Sequence, residues 1–528
     1  MGKIWRYILI AMVIMAMLLS GCNLVGGLVS YDQMNYSRPD MTEFNEVLEK
    51  SCTSARKEKK IENLEEAILE FYQVYDQFYT NMNLAFIRYS RDLSDIYWEA
   101  EYSYCAQQSA IADAGMDKLY RTLAKSPLRE TLEGEDYFGE GFFDSYEGES
   151  LYDDQMMSLL TQEAQLQSQY QIINGEAAGV TYYSNQYFEQ YGSKMADVFL
   201  ELVQLRQEIA AYAGYDSYVQ FAYDFYHVRD YTPEQAVGYM ADIRAELVPL
   251  YKQLNSSGFW SNLELNYCTE TDMLSYVRSM SESMGTTVKK AFSQMVDAKV
   301  YDISYGENKY NTSFEIYLGT YATPYVFVCP TGSEYDKLTF AHEFGHFCCD
   351  FASYGGANQS VDVAEIFSQA MEYLSLSYAD DVGQLETLKM ADSLSVYVEQ
   401  AAYASFEHQV YDLTGDELTV ENIQTLYAEI LAAYGMDVEG RDSRDYVCIT
   451  HFYESPLYVI SYVLSNDAAL QIYELEQTEK GKGVACFEKN MTLSQPYILS
   501  FLEEAGLKSP FADGRLAQVR QTFENKLI

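Results

Sequence analysis

The sequence predicts a mainly α-helical protein with a small β-sheet, on three observations. Apolar residues recur at three- and four-residue intervals through stretches such as Ile61 to Ile87 and Met156 to Ile173, the spacing that lines one face of a helix. Fifty tyrosines and only nine prolines in 528 residues suggest helices packed through aromatic sides. Convincing strand signals are confined to Phe314 to Leu318 and Tyr325 to Cys329.

Taken in order, the chain begins with a processing signal over 1–21. Lys3 and Arg6 form a positive region, Tyr7 to Leu19 is an apolar run too short for a comfortable membrane span, and Leu19-Ser20-Gly21-Cys22 follows. That ending resembles a bacterial lipoprotein signal, in which cleavage before Cys22 exposes a cysteine that carries lipid. Residues 22–30 then read as a short lipidated tether. The expected location is extracytoplasmic, held to the cell membrane by the lipid anchor alone, since no other run of spanning length follows Leu19.

Residues 31–204 form an N-terminal helical region, periodic from Met41 to about Gln204. The acidic, glycine-bearing stretch Leu132 to Tyr152 interrupts it and reads as a loop. A second block covers 205–528. Within it Thr232 is a helix cap, Pro233 occupies the first helical position and Gln235 can complete a capping box. After Leu338 the pattern is helical to the end.

A formal net charge of −44 argues against nucleic acid or an anionic lipid surface as a partner. It does not signal disorder, because 48% hydrophobic content is ample for a packed interior. Besides Cys22, eight cysteines are scattered without CxxC spacing, which leaves a cysteine metal site or redox motif unsupported. Their disulfide connectivity cannot be read from spacing, and most are expected to be buried as small hydrophobes.

The most informative stretch is His342-Glu343-Phe344-Gly345-His346, in a chain with only five histidines. Residues four apart on a helix project from one face, so His342 and His346 can bind one metal ion while Glu343 points toward a water beside it. A catalytic zinc takes three protein ligands, so a partner is required. Glu365 is the choice: it opens a helix yet sits among Val363, Ile366 and Ala370, where an unpaired carboxylate would be costly. Asp362 and Glu372 compete for the role, and Asp362 could instead orient a ligand imidazole through its free ring N–H. Gly355 and Gly356 would let the chain turn back between the two helices.

HEFGH followed by DVAEIFSQAME resembles the active-site helices of the thimet oligopeptidase and oligoendopeptidase F family of zinc metallopeptidases. In that family the third ligand is a glutamate with an acidic residue three positions before it and a serine three after, which Asp362, Glu365 and Ser368 match. His451-Phe452-Tyr453-Glu454-Ser455-Pro456-Leu457-Tyr458 through Tyr462 is similar to the family's histidine and tyrosine segment, closest to the oligoendopeptidase F form. The resemblance carries over His451, Tyr458 and Tyr462 as groups that meet substrate and its developing oxyanion. His227 and His408 lack such context and read as structural. Tyr212 to Tyr218 and Ala505 to Pro510 also resemble family segments, so the likeness covers roughly Leu205 to Leu527.

The resemblance implies a two-lobed helical zincin with a small sheet beside its active site and a deep central channel. It also implies one zinc ion per chain and oligopeptide substrates. Glu343 would act as general base, and the strand Tyr325 to Cys329 would pair with extended substrate. The rivals are a non-catalytic peptide-binding lipoprotein and a protease acting on larger proteins. Oligomeric state is not legible.

Overall fold

The computed structural model describes residues 28–528 apart from 135–136, 178–179, 182–183, 356–358 and 439–440. The 1–21 signal, Cys22, most of the tether and Gly356 lie outside the described residues.

Three long helices open the body: α1 (Met41–Lys57), α2 (Ile61–Arg91) and α3 (Ile96–Leu123). Asp40 starts α1 by accepting from the Thr42 N–H (2.8 Å), and Asp95 does the same for α3 from Tyr97 (3.0 Å), satisfying donors that a helix start leaves free. Their apolar stripes close on one another through Phe44, Phe71, Leu84, Leu119 and Tyr120, all buried. Helices α4 (Asp154–Glu176) and α5 (Ser193–Tyr212) complete this half. The predicted loop between α3 and α4 is better ordered than its acidic composition suggested. Phe138, Phe142, Phe143 and Tyr146 are buried in it, and Phe138, Phe142 and Tyr146 meet the Tyr120 ring at 5.1–6.0 Å. Aromatic side chains on a charged segment fold it back onto the helices.

In the second half, the helix Pro233–Glu246 begins as read from sequence, with the Thr232 and Gln235 capping box formed. The sheet has three strands, β1 (Tyr301–Asp302), β2 (Phe314–Leu318) and β3 (Thr323–Phe327), in the order β1-β3-β2. β2 matches its predicted bounds. β3 starts two residues early, and β1, two residues long, is too short to leave a periodic signal. β3 pairs parallel with β1 and antiparallel with β2. Both its edges are therefore used, which corrects the expectation that Tyr325 to Cys329 would pair with substrate; β1 and β2 are the outer strands.

Beyond the sheet run α6 (Asp336–Ser353), α7 (Val361–Tyr378), α8 (Leu385–Ser395), α9 (Ala401–Val410) and α10 (Ile460–Thr478). α7 packs against both α6 and α10. Gly345 makes the first of these contacts possible: a Cβ there would lie 2.6 Å from Phe367 O and 2.7 Å from Ser368 Cα. The glycine within HEFGH thus lets two helix backbones meet closely enough for their side chains to share one point. α6 ends on Tyr354 (φ 55°) and Gly355 (φ 69°), both left-handed, so the turn uses a tyrosine as well as the expected glycine.

No described helix is long and apolar enough to cross a membrane. Cys52, Cys105, Cys268, Cys348, Cys349 and Cys448 are buried, Cys329 and Cys486 are half-buried, and all eight carry free thiols.

Candidate metal centre

α6 presents His342 and His346 one turn apart, and α7 presents Glu365 opposite them. Glu365 Oε2 lies 3.3 Å from His342 Nε2 and 3.5 Å from His346 Nε2. One donor atom from each of the three residues falls within 4.8 Å of the others, close enough for the three to hold one metal ion. The donors fit zinc: two imidazole nitrogens and one carboxylate oxygen, each offering a lone pair, are the three-ligand set of open catalytic sites. The surrounding carboxylates favour positive charge at this point. Burial disfavours a charged His342, yet its bonds to Glu365 and Glu372 raise its pKa well above the usual imidazole value. Burial likewise opposes ionisation of Glu365, but the two imidazoles hold its carboxyl well below the usual range.

The groups behind these three residues differ from the sequence reading in one respect. His342 Nδ1 donates to Glu372 Oε1 at 2.8 Å, which turns Nε2 toward the common point. Glu372 is fixed in turn by Lys389 of α8, whose Nζ donates to Oε2 at 2.7 Å. Lys389 also reaches Asp392 (3.3 Å), which accepts from Tyr335 (2.9 Å). Asp362, the residue expected to orient an imidazole, does not do so. It accepts from Ser461 of α10 (2.5 Å), with Arg229 Nε 3.4 Å from its other oxygen. On a helix, Glu365 and Glu372 lie seven residues, about two turns, apart and share a face, whereas Asp362 starts α7 next to α10. Ser368 donates to Glu365 Oε2 at 2.7 Å, holding the ligand carboxylate from its own helix.

Glu343 is 5% exposed beside the triad. Burial raises its pKa to about 7, against the opposing pull of His342 and His346. A carboxyl with that value exchanges protons near neutrality.

The segment before α10 and the first turn of that helix bring His451, Tyr458 and Tyr462 together, with ring centroids 5.3–5.6 Å apart. Their contacts differ. Tyr462 OH is 3.1 Å from His451 Nε2, while Tyr458 OH donates to Glu365 Oε1 at 2.6 Å. Burial lowers the His451 pKa, so the ring is neutral at pH 7 and its hydrogen bonding depends on the tautomer.

The turn that aims Tyr458 is held by residues to which sequence reasoning gave no role at the site. Leu457 adopts φ 63°, unusual for a residue with a branched side chain. Its N–H donates to Glu407 Oε1 of α9 (2.6 Å), and its carbonyl accepts from Arg229 (2.8 Å). His227 Nε2 donates to the preceding carbonyl, Pro456 O, at 2.8 Å. Burial keeps Glu407 protonated near neutrality, its pKa raised to about 8, and keeps His227 neutral, its pKa lowered to about 3. His227 is therefore structural, as read, but it acts next to the site. His408 donates to or accepts from Tyr223 OH at 2.8 Å, away from the triad. No local signal marks Glu407 or Arg229, because their partners are 50 and 228 residues distant.

A cavity of about 340 Å³ opens beside Tyr458, walled by α3 and α4 on one side and by His227 and Pro456 on the other. It lies between the N-terminal helices and the half that carries His342, His346 and Glu365, where the deep channel is expected.

Comparison with known proteins adds to this geometry. Residues 31–150 match the peptidase M3 N-terminal domain, the part of the chain in which no motif was legible. No curated protein matches the chain. Among solved structures, a protein described as an oligoendopeptidase F superposes with a TM-score of 0.84 at 21% identity, over 94% of this chain and 98% of that one. PZ peptidase A with a bound inhibitor gives 0.84 at 20%, over 94% and 99%. A protein from Bacillus anthracis str. Ames, also described as an oligoendopeptidase F, gives 0.81 at 20%, over 94% and 98%.

Proposed function

Because the matched N-terminal domain and the shared fold support an M3/oligoendopeptidase F assignment, and with it a metallopeptidase of the M3 type, we propose that this chain is a lipid-anchored, extracytoplasmic zinc endopeptidase cutting short oligopeptides. The observation that carries the reading is the meeting of His342, His346 and Glu365 at one point beside a buried Glu343. Zinc, held by these three residues, would supply a Lewis acid that polarises the scissile carbonyl and acidifies a neighbouring water.

The chain's own groups do the rest. Glu343, next to the triad, accepts the attacking water's proton and returns it to the departing amine. Its burial beside the imidazoles keeps the proton within the site. Tyr462 and His451 form a hydrogen-bonded pair positioned to donate to the oxyanion as charge develops. Tyr458, on Glu365, either steadies the ligand carboxylate or swings to the same oxyanion. The cavity beside Tyr458 suits a peptide threaded between the two halves.

Metal content and cleavage of an internally quenched peptide test the reading together. Activity lost on chelation and restored by zinc supports it. A zinc-loaded chain that binds peptides without cutting them would be the non-catalytic binder instead. Casein hydrolysis as fast as short-peptide hydrolysis would indicate a protease of larger proteins. The anchor rests on the pattern from Lys3 to Cys22. Cys22→Ser should abolish incorporation of labelled fatty acid, and label on that variant would refute the lipoprotein proposal.

A further inference from the structure

A second cavity, of about 680 Å³, opens in the N-terminal half along α3. Its wall runs against the charge of the molecule. The chain has 35 basic and 79 acidic side chains, yet Arg56, Lys118, Arg121 and Lys125 line this cavity with a single carboxylate, Asp117. Two of the four cations are compensated: Arg121 Nε lies 2.7 Å from Asp117, and Lys118 pairs with Glu49. Arg56 and Lys125 have no ion pair or side-chain hydrogen bond among the described residues. Both are exposed, and in a body of net charge −44 two cations on one concave wall, without a partner among the described residues, make that wall locally attractive to an anion.

The cavity also adjoins the proposed substrate path. Tyr152 lines both this cavity and the 340 Å³ cavity beside Tyr458. α3 runs along both, contributing Asp113 to the smaller and Arg121 to the larger. At a rise of about 1.5 Å per residue, those two positions are about 12 Å apart. An extended peptide covers that distance in about four residues. A peptide passing from the triad over Tyr458 and Tyr152 would therefore bring one of its ends to the basic wall. Its amino end carries a positive charge and would be repelled; its carboxyl end carries the charge that Arg56 and Lys125 lack.

We infer that the basic cavity lined by Arg56 and Lys125 binds the C-terminal carboxylate of the oligopeptide, so that the C-terminal fragment, whose new amine forms at the cut, lies toward α3. The inference rests on the peptidase reading above. It assigns these residues to substrate anchoring and direction, with no part in the chemistry.

The test compares peptides of one sequence, extending four to eight residues beyond the cut, with a free carboxylate or an amide at the C-terminus. Cleavage by the full chain is read by mass spectrometry. Expected is a roughly tenfold lower KM for the carboxylate, the scale of one or two charge-assisted hydrogen bonds, with kcat little changed. An R56S/K125S variant should erase the preference while cutting the amide peptide as the parent does and melting at the same temperature. Inorganic phosphate should compete with the carboxylate peptide and spare the amide.

Equal KM values for the two peptides, or a preference that survives in R56S/K125S, would overturn the inference. So would phosphate that raises the melting temperature through Arg56 and Lys125 while the two termini remain indistinguishable, since the site would then serve a free anion. Calorimetric binding of the same two peptides to Glu343→Gln reads the preference without turnover. Failure of the peptidase reading and failure of this inference are thereby separable.

Discussion

Replacing Glu407 by Ala should damage turnover without touching any metal ligand, and the size of the effect follows from the Leu457 turn. A left-handed conformation costs a non-glycine residue about 1–2 kcal/mol. At Leu457 (φ 63°) it is opposed by the Glu407 bond to its N–H (2.6 Å), with Arg229 and His227 holding the flanking carbonyls. Truncation leaves a buried N–H without an acceptor, at about 1–3 kcal/mol. Loss and strain are comparable, so the turn is no longer held in one geometry and Tyr458 loses its aim. A barrier increase of about 1.4 kcal/mol is tenfold in rate; kcat should fall roughly ten- to a hundredfold, with KM and zinc content near those of the parent. Glu407→Gln supplies the control. Burial keeps the acid protonated near neutrality, its pKa about 8, so the amide retains the accepting oxygen of the group it replaces. Steady-state kinetics on one quenched peptide, with melting curves for all three proteins, decides the matter. Parental kcat in Glu407→Ala, or equal damage in the Gln and Ala variants, would refute the positioning argument.

Glu343→Gln should keep zinc and lose more than roughly a hundredfold in kcat, because the amide cannot accept the water's proton; full activity would sink the assigned base. Glu365→Ala should bind no zinc, whereas Glu372→Ala should weaken zinc by about ten- to a hundredfold through the freed His342 ring, both read by metal titration. Tyr462→Phe should lower kcat roughly ten- to a thousandfold with zinc retained, and near-parental turnover would leave His451 as the donor from this segment. Buried His227 and His408, each with a pKa lowered to about 3, must charge on unfolding below about pH 6.5; unfolded chains then bind more protons, so stability should fall as pH drops from about 6.5 toward 3, and His408→Gln should flatten part of that fall in pH-dependent melts.

The parts of this site that the sequence made legible share a property: each is encoded within one or two helical turns. His342, Glu343 and His346 are spaced by the helix itself, and Glu365 and Ser368 follow the same rule on α7. The capping box at Thr232 and the strand Phe314–Leu318 are local patterns of the same kind. What stayed hidden depends on contacts between distant segments. Lys389 fixes Glu372 from the next helix, Glu407 holds Leu457 across 50 residues, and Arg229 reaches Asp362 across 133. No periodicity announces such pairs, and composition misled at residues 138–146, where aromatic packing overrode an acidic surface pattern.

Asp362 shows the consequence most directly. Its spacing from Glu365 suggested a partner for a ligand imidazole, yet the carboxylate answers Arg229, a cation buried with almost no access to solvent. Removing one member of a buried pair leaves the other uncompensated, at about 3–5 kcal/mol. Asp362→Ala should therefore lower the melting temperature, while zinc affinity measured well below that temperature stays close to that of the parent. The same carboxylate also accepts from Ser461 at 2.5 Å, at the start of the helix that carries Tyr462, so the loss should extend to kcat. A variant that melts normally but binds zinc poorly would return Asp362 to the imidazole and refute the assignment of that role to Glu372.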